Sequence, residues 1–438
     1  MGSPSFRRLA LLNIASNLTA PLASLIDVAF LGHANTVTPL AGVALATVLF
    51  DVLYFSFSFL RMATTGLTAQ VYGSGLSYEP SDAGRVELYA LLYRALGIAL
   101  CSAALVLVLQ VPLRAVGFGL LSGTPEVEQV GMRYFDIRIW AVPAAFARYA
   151  MMGWFLGIGR SGVILIAELV ANLCNVGLDD LFIRQWSWGA EGAAWATLIS
   201  QYVASFLLLL FLTRHLKAVP LLAIVAFQRM LPLLSLSRDI FIRTLFLTSS
   251  FAVFTNVSAF LGTQMLAANT LLLRCFGLVA FVIDGFAYAT ETLVGQSQGA
   301  GDSLRLTRTL STALKSATFF AALVCLLLWL FGEVIIRLLT VHESVVNLAM
   351  ELRYGLCAAL FLGAFAWIYD GVFFGLGQGE LLRNVTAVAA LCFAGGATAA
   401  WLMRSGELLW IAFVSFMGVR GVLLHLAWTR RYLPTLSH

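Results

Sequence analysis

The sequence predicts an all-α integral membrane protein, with about twelve transmembrane helices arranged as two pseudo-symmetric six-helix lobes. Hydrophobic residues make up 60% of the chain and charged residues 11%, against roughly 45–50% and about 25% in soluble domains. Apolar runs of about 20 residues, the length of a helix that crosses the hydrocarbon core, recur along the whole chain. Three short patterns of the first half also return in the second half, in the same order.

This internal repeat indicates that the two halves share one plan. The offsets between matching patterns are 230, 226 and 218 residues, so a few insertions in connecting loops explain the drift. Duplicated helical bundles with a site between the halves are typical of secondary transporters. The repeated patterns are Ala-Phe-Leu-Gly at 29–32 and 259–262, LxxQxxGxG at 67–75 and 293–301, and GxFxGxG at 153–159 and 371–377.

Six apolar runs fall in each half. An even number returns the chain to its starting side, which predicts parallel repeats related by an axis along the membrane normal. The organisation is then an amino-terminal lobe over 1–213, a cytoplasmic linker over 214–239 and a carboxy-terminal lobe over 240–438. The predicted spans are 8–31, 40–72, 88–113, 134–158, 162–183 and 189–213, followed by 240–263, 266–299, 309–332, 346–376, 380–402 and 406–428.

The basic residues predict the topology. They lie in alternate connections, which under the positive-inside rule places both termini in the cytoplasm of a multi-pass protein of the bacterial inner membrane. The net charge of +5 does not predict nucleic-acid binding, because no basic patch forms. The residues that set this topology are Arg7, Arg8, Arg214, Lys217, Arg229, Arg238, Arg305, Arg308, Arg430 and Arg431.

Two motifs that elsewhere mark enzymes lie in the wrong context here. The GxGxxG pattern at 157–162 lacks the preceding strand of a dinucleotide-binding unit. The GxSxG pattern around Ser297 has valine at the repeat-equivalent position, Val71, and no histidine is placed to act as its base. The six cysteines and five histidines also lack ligand spacing. We predict no enzyme, no metal and no cofactor.

The first half carries the candidate cation-coupling residues. An ionised carboxylate near the bilayer centre costs about 2.5–3.5 kcal/mol, so acids within spans are functional candidates. Asp27 lies in the first span, Asn175 and Asp179 share one face of the fifth, and Thr197 adds a hydroxyl on the sixth. These oxygen ligands suit H⁺ and Na⁺ alike. Two alternatives remain: a salt bridge from Asp27 to Arg61, and an interfacial place for Asp179 near its span end.

The second half carries a different set of polar residues. Asp284, Tyr288, Glu291 and Asp370 are candidates for a substrate cavity or a second ion site. Asp284 and Glu291 are two turns apart on one helix face, with Arg274 earlier in the same span. An internal charge network and contact with substrate are both open. Several carboxylates with aromatic residues such as Tyr54, Tyr288 and Trp367 would suit a lipophilic cation.

These residues resemble the multidrug and toxic compound extrusion (MATE) family, and its DinF-like branch in particular. The resemblance covers nearly the whole chain and rests on the segments 25–32, 65–70, 175–179, 192–197, 284–291 and 369–371. It implies two six-helix lobes that export organic solutes in exchange for inward H⁺ or Na⁺. It also implies a cation site at Asp27, Asn175, Asp179 and Thr197. Relatives often have a proline where this chain has Leu12, so Pro21 is the remaining proline for bending that span.

The predicted function is therefore a secondary active antiporter that exports lipophilic or cationic organic solutes by alternating access, with H⁺ as the coupling ion and Na⁺ as the alternative. The expected partners are a small organic substrate and membrane lipid, with a monomeric protein. An exporter of lipid-linked or anionic solutes on the same architecture is the alternative, which a cavity rich in arginine would favour.

The symmetry of the two halves does not extend to their charged and polar residues. Asp27 aligns with Val257, Asn175 with Phe393, Asp179 with Ala397, Asp284 with Ser58 and Glu291 with Thr65.

Overall fold

The computed structural model describes residues 5–32, 38–77, 82–121, 123–213 and 227–432, together with the single residues 220 and 224. Within that part of the chain the regular structure is entirely helical, which confirms the predicted fold class. The chain forms two compact units, one of residues 15–234 and the other of residues 1–14 with 235–438. The helices of each unit follow from long apolar sequences whose backbone groups bond within the helix, as a span in lipid requires.

The unit of residues 15–234 is built from three main helix pairs. α3 packs against α7, α8 against α9, and α2 against α6. Part of its apolar core is formed by Trp154, Phe155 and Leu208, and the Trp154 indole Nε1 donates to the Leu88 carbonyl oxygen at 3.1 Å. The helices are α1 (Phe6–Gly32), whose first nine residues belong to the other unit, α2 (Thr38–Ser56), α3 (Phe59–Ser77), α4 (Asp82–Val108), α5 (Gln110–Leu120), α6 (Pro125–Arg138), α7 (Val142–Gly157), α8 (Ser161–Asp179) and α9 (Gly189–Thr213).

The other unit is organised around a central pair, α11 and α13, which make its most extensive contact. Its core is rich in aromatic side chains, including Phe254, Phe393 and Phe413. Near the start of α1, Leu9 packs in this unit beside Leu293 of α11. The helices are α10 (Phe227–Phe260), whose first residues to 234 belong to the first unit, α11 (Thr263–Ala300), α12 (Ser303–Leu339), α13 (Glu343–Gly375), α14 (Gly379–Met403) and α15 (Gly406–Ala427).

Ten helical segments within the described residues are long and apolar enough to cross a membrane. They correspond to ten of the twelve predicted spans. The other two predictions are 8–31, which lies in α1 where several side chains are outside the described residues, and 134–158. The predicted linker 214–239 differs from the structure, because residues from Phe227 onward form the first turns of α10. Most of the linker before Phe227 lies outside the described residues.

Prolines explain two places where a predicted span is divided. The run 134–158 is split by a 3₁₀ turn, Ile139–Ala141, between α6 and α7, and Pro143 follows Ile139 by four residues. The run 88–113 is interrupted at Leu109, between α4 and α5, and Pro112 follows Val108 by the same spacing. A proline has no N–H to donate to the carbonyl four residues earlier, and its ring clashes with that carbonyl. Both interruptions therefore sit one turn before a proline.

The repeated glycines of GxFxGxG allow two helices to approach closely in each unit. A Cβ on Gly153 would lie 2.6 Å from the Arg61 carbonyl oxygen of α3, and a Cβ on Gly371 would lie 2.5 Å from the Ala287 carbonyl oxygen of α11. The α7–α3 and α13–α11 contacts are thus equivalent in the two halves. Small residues have this role in membrane helices because lipid gives no hydrophobic drive for association.

The last glycine of the same pattern ends the helix in a left-handed conformation. Gly159 has φ +75° and Gly377 has φ +70°, a region that glycine reaches without the steric penalty of a Cβ. The following residues Arg160 and Gln378 donate their backbone N–H to carbonyls five residues earlier, each at 2.8 Å. A helix C-terminal cap between α7 and α8 therefore accounts for the GxGxxG pattern, with no strand before it.

Gly371→Ala is expected to lower the stability of the protein by about 1–3 kcal/mol, because the added methyl group overlaps backbone that cannot move away easily. The matched control is Gly395→Ala in α14, where a Cβ meets nothing within 4 Å and where alanine favours the helix. The measurement is the thermal unfolding midpoint of both variants in the same detergent. Equal midpoints would contradict the close-packing role of Gly371.

Candidate functional site

One face of α8 is buried and carries polar side chains at helical spacing. Asn175 is 5% exposed and Asp179 is fully buried, so the pair predicted from the i, i+4 spacing does share an interior face. The Asn175 side-chain nitrogen has no hydrogen-bond partner within the described part of the structure. An acid and an amide side by side in the interior of a span provide carboxylate and carbonyl oxygens for a small cation.

Asp179 and Asp180 are adjacent acids that differ in burial. α8 ends at Asp179 and continues as a π-helical turn, Asp180–Gln185. Asp180 is half-buried and accepts from Arg184 Nε at 2.8 Å and from Gln185 Nε2 at 2.9 Å. The two acids therefore differ in environment: Asp179 is fully buried within the protein, whereas Asp180 is half-buried and bonded to Arg184 and Gln185. An interfacial place in the membrane stays a prediction for both.

Thr197 lies on α9, the helix that packs against α8. Its side chain is half-buried, and the hydroxyl donates to the Ala193 carbonyl oxygen at 2.9 Å. That bond uses the hydroxyl proton and leaves the oxygen lone pairs as acceptors. Thr197 can therefore offer an oxygen to a cation without losing its own hydrogen bond.

Asp27 lies within helix α1, but its side chain is outside the described residues. Its place beside Asn175 and Asp179, and the alternative salt bridge to Arg61, both stay predictions. Arg61 itself is buried at 5% exposure in α3.

Glu168 was not among the predicted site residues, and neither was its ion pair with Arg148. Glu168 lies on the same buried face of α8, two turns before Asn175, and accepts from Arg148 Nη1 of α7 at 2.5 Å. Both side chains are largely buried, at 11% and 14% exposure. The sequence could have indicated Glu168, because it lies seven residues before Asn175. Residues at that spacing are two turns apart and share a helix face.

An aromatic cluster surrounds Arg138 in the same unit. Its guanidinium lies 4.6 Å from the Phe50 ring centroid and 5.9 Å from that of Tyr54, and Nη1 donates to the Tyr134 hydroxyl at 2.9 Å. Cation–π contacts of this kind stabilise a desolvated charge. Tyr54, predicted as a possible contact for a cationic substrate, thus already faces a cation of the protein.

The candidates of the second half lie in α11 and α13. Glu291 is fully buried, and Asp284 and Tyr288 are half-buried on α11. Arg274, named in the sequence as a possible partner of these acids, is exposed. For Asp284 and Glu291, a charge network and contact with substrate both stay predictions.

Asp370 holds together a buried ionic triad. Its Oδ2 accepts from Arg243 Nη2 of α10 and from Arg420 Nη2 of α15, the second at 2.5 Å. All three side chains are buried, and Arg420 is fully so. Since one carboxylate oxygen accepts from two guanidinium groups of two other helices, the charge-network interpretation fits Asp370 well.

Comparison with known proteins agrees with this architecture. The family model described as MatE matches residues 13–180 and 240–395. DNA damage-inducible protein F of Escherichia coli (strain K12) is 33% identical over 429 residues, which are 97% of this chain and 91% of that protein. The probable multidrug resistance protein NorM of Chromobacterium violaceum is 27% identical over 304 residues, 67% of this chain and 63% of that protein.

A solved structure shows the same fold. The outward-facing conformation of a multidrug resistance MATE family transporter of the MOP superfamily superposes with a TM-score of 0.87 at 20% identity, covering 99% of this chain and 96% of that one. The family match spans both halves, and the Escherichia coli relative covers nearly the whole length. The chain therefore belongs to the MatE family, and it is an integral membrane transporter rather than an enzyme.

Proposed function

We propose that the protein exports organic solutes in exchange for inward H⁺, with Na⁺ as the alternative coupling ion. The observation that carries the proposal is the burial of Asp179, at 0% exposure, with Asn175 on the same face of α8. A carboxylate buried away from solvent is costly when ionised, so it favours either a bound proton or a bound cation. The family membership supplies the transport cycle to which such a group can couple.

The chemistry requires the acid to change its charge state during the cycle. When Asp179 has bound an ion, the neutral site is compatible with the membrane interior. When it is ionised, positive charge nearby stabilises it, and a cationic substrate would add to that charge. Asn175 and Thr197 offer neutral oxygens, which would hold Na⁺ beside one or two carboxylates or accept hydrogen bonds from a protonated acid.

The substrate class follows from the same residues and from relatives. We infer a small, lipophilic or cationic organic solute, since acids occur in both units and the Chromobacterium relative bears the name of a probable multidrug resistance protein. We also propose that the protein lies in the bacterial inner membrane as a monomer with both termini in the cytoplasm. The charges that flank the spans support this orientation.

Imposed ion gradients test the coupling. In proteoliposomes loaded with the fluorescent cation ethidium, the wild type is expected to drive its movement under an imposed pH gradient and not under an imposed Na⁺ gradient. Asp27→Asn is expected to abolish that movement while expression and folding are kept, because it removes a predicted site carboxylate without changing its size. Movement driven only by Na⁺ would select the alternative ion, and unchanged export by Asp27→Asn would exclude Asp27.

An exporter of anionic solutes is the second candidate, and the buried arginines favour it. Arg61 and Arg243 are each 5% exposed and Arg420 is fully buried, so positive charge lies in the interior of both units. The same proteoliposomes loaded with a fluorescein-type anion distinguish the two functions. Gradient-driven movement of the anion, without movement of ethidium, would favour the second candidate.

A further inference from the structure

We propose that the unit of residues 1–14 and 235–438 binds the headgroup of an anionic phospholipid in a cavity beside the first turns of α12. The cavity has a volume of about 380 Å³, within the range of roughly 300–1,000 Å³ that ligand sites occupy. Two arginines, Arg305 and Arg308, line it together with apolar side chains of α1, α11 and α12. It belongs to a different unit from the acids to which the proposed function assigns ion coupling.

The two guanidinium groups give the cavity its chemistry. Arg305 and Arg308 are three residues apart on α12, so their side chains lie on neighbouring positions of one helix face. The Nη2 atom of Arg305 is buried and has no hydrogen-bond partner among the described residues. A buried donor without a partner is costly, and phosphate oxygens match the geometry of guanidinium N–H groups well.

The other polar groups of the cavity are already engaged within α12. Asp302 caps the helix, since its Oδ1 accepts from the Arg305 backbone N–H at 2.8 Å. The hydroxyls of Thr309 and Thr312 donate to the Arg305 and Arg308 carbonyl oxygens, each at 2.8 Å. Two cations and one carboxylate leave the cavity positive, and the guanidinium N–H groups are its available donors. An anion is therefore the expected ligand.

The apolar walls favour a lipid over a free phosphate ion. Phe6 of α1 and Leu293 of α11 line the cavity together with Leu304, which is 60% exposed. The predicted span of α12 starts at residue 309, directly after Arg308, so the cavity lies at the membrane boundary on the side proposed as cytoplasmic. A basic pocket between membrane helices at that level is the kind of site that holds anionic headgroups.

A headgroup here would connect three helices. Phe6 and Leu9 of α1 pack with Ala289 and Leu293 of α11, and the arginines belong to α12. Binding would hold the first turns of α1 against α11 and α12, within the unit that already contains them. The inference does not depend on which ion or solute is transported.

Native mass spectrometry of the full-length protein in detergent tests the site, with phosphatidylglycerol and phosphatidylcholine as the two lipid probes. The wild type is expected to retain phosphatidylglycerol preferentially. Arg305→Gln with Arg308→Gln is expected to weaken that binding by about fivefold for each arginine, while Arg430→Gln, an exposed arginine at the same proposed side, leaves it unchanged.

A second variant separates the cavity from general surface charge. Thr312→Phe fills the cavity and keeps both arginines, so it is also expected to reduce retention of phosphatidylglycerol. Wild-type retention by Thr312→Phe or by the double arginine variant would overturn the proposal, as would an equal loss in Arg430→Gln. Full displacement of the lipid by inorganic phosphate would identify a phosphate site instead and overturn the lipid assignment.

Discussion

Asp179→Asn is expected to abolish gradient-driven export, reducing it to the background of liposomes without protein. The substitution keeps the size of the side chain but removes the group that binds and releases the coupling ion. The protein should still fold, because asparagine spares the cost of burying a carboxylate that is fully removed from solvent. The measurement is ethidium movement in proteoliposomes under the imposed ion gradient that drives the wild type.

Asp180→Asn is the matched control, since the two acids are neighbours in sequence and differ in environment. Asp180 is half-buried and bonded to Arg184 and Gln185 at the helix end, so this variant should transport close to the wild-type rate. Transport by Asp179→Asn at the wild-type rate would remove Asp179 from the coupling site. Equal losses in the two variants would indicate a structural effect of charge at this turn.

Asp370→Asn is expected to have the largest effect on stability, a loss of about 3–5 kcal/mol in the free energy of unfolding. Asp370 is the shared acceptor of Arg243 and Arg420, both of them buried. Removing its charge leaves two guanidinium groups in the interior without the carboxylate that compensates them. Denaturant unfolding in detergent, followed by tryptophan fluorescence, measures the loss.

Asp136→Asn provides the control for that prediction. Asp136 pairs with Arg114 at 2.5 Å, but both side chains are well exposed, at 50% and 34%, and exposed pairs contribute little because water screens them. A partial rescue of Asp370→Asn by Arg243→Met would support the charge account, since the second change removes one uncompensated cation. If both aspartate variants unfold alike, the triad does not stabilise the unit.

The sequence predicted the scaffold well because the scaffold depends on local patterns. The length of an apolar run sets the length of a span, and the repeated glycines mark where α7 meets α3 and α13 meets α11. Pro112 and Pro143 account for the interruptions of the predicted spans 88–113 and 134–158. The helical start of α10 at Phe227 was missed because its sequence is too polar for the apolar criterion.

The ionic partners were harder to predict than the acids. Helix spacing placed Asn175 and Asp179 on one buried face, yet it could not pair Asp370 with Arg243, which lies 127 residues away. Such pairs depend on which helices become neighbours, and that information is not local.

The two halves differ in the positions of their buried acids, which the repeated sequence patterns alone do not show. The fully buried Asp179 aligns with Ala397, and the fully buried Glu291 aligns with Thr65, so each half buries its acid at a different point of a shared framework. In the second half, Asp370 is already bonded to two buried arginines. This asymmetry favours ion coupling at Asp179 in the first half.

Proton release on substrate binding tests that claim most directly. Purified protein in weakly buffered detergent solution is mixed with ethidium, and a pH indicator reports the protons released per protein. The wild type and Glu291→Gln are expected to release protons, whereas Asp179→Asn is expected to release none. Release by Asp179→Asn together with its loss in Glu291→Gln would contradict the account and place coupling in the second half.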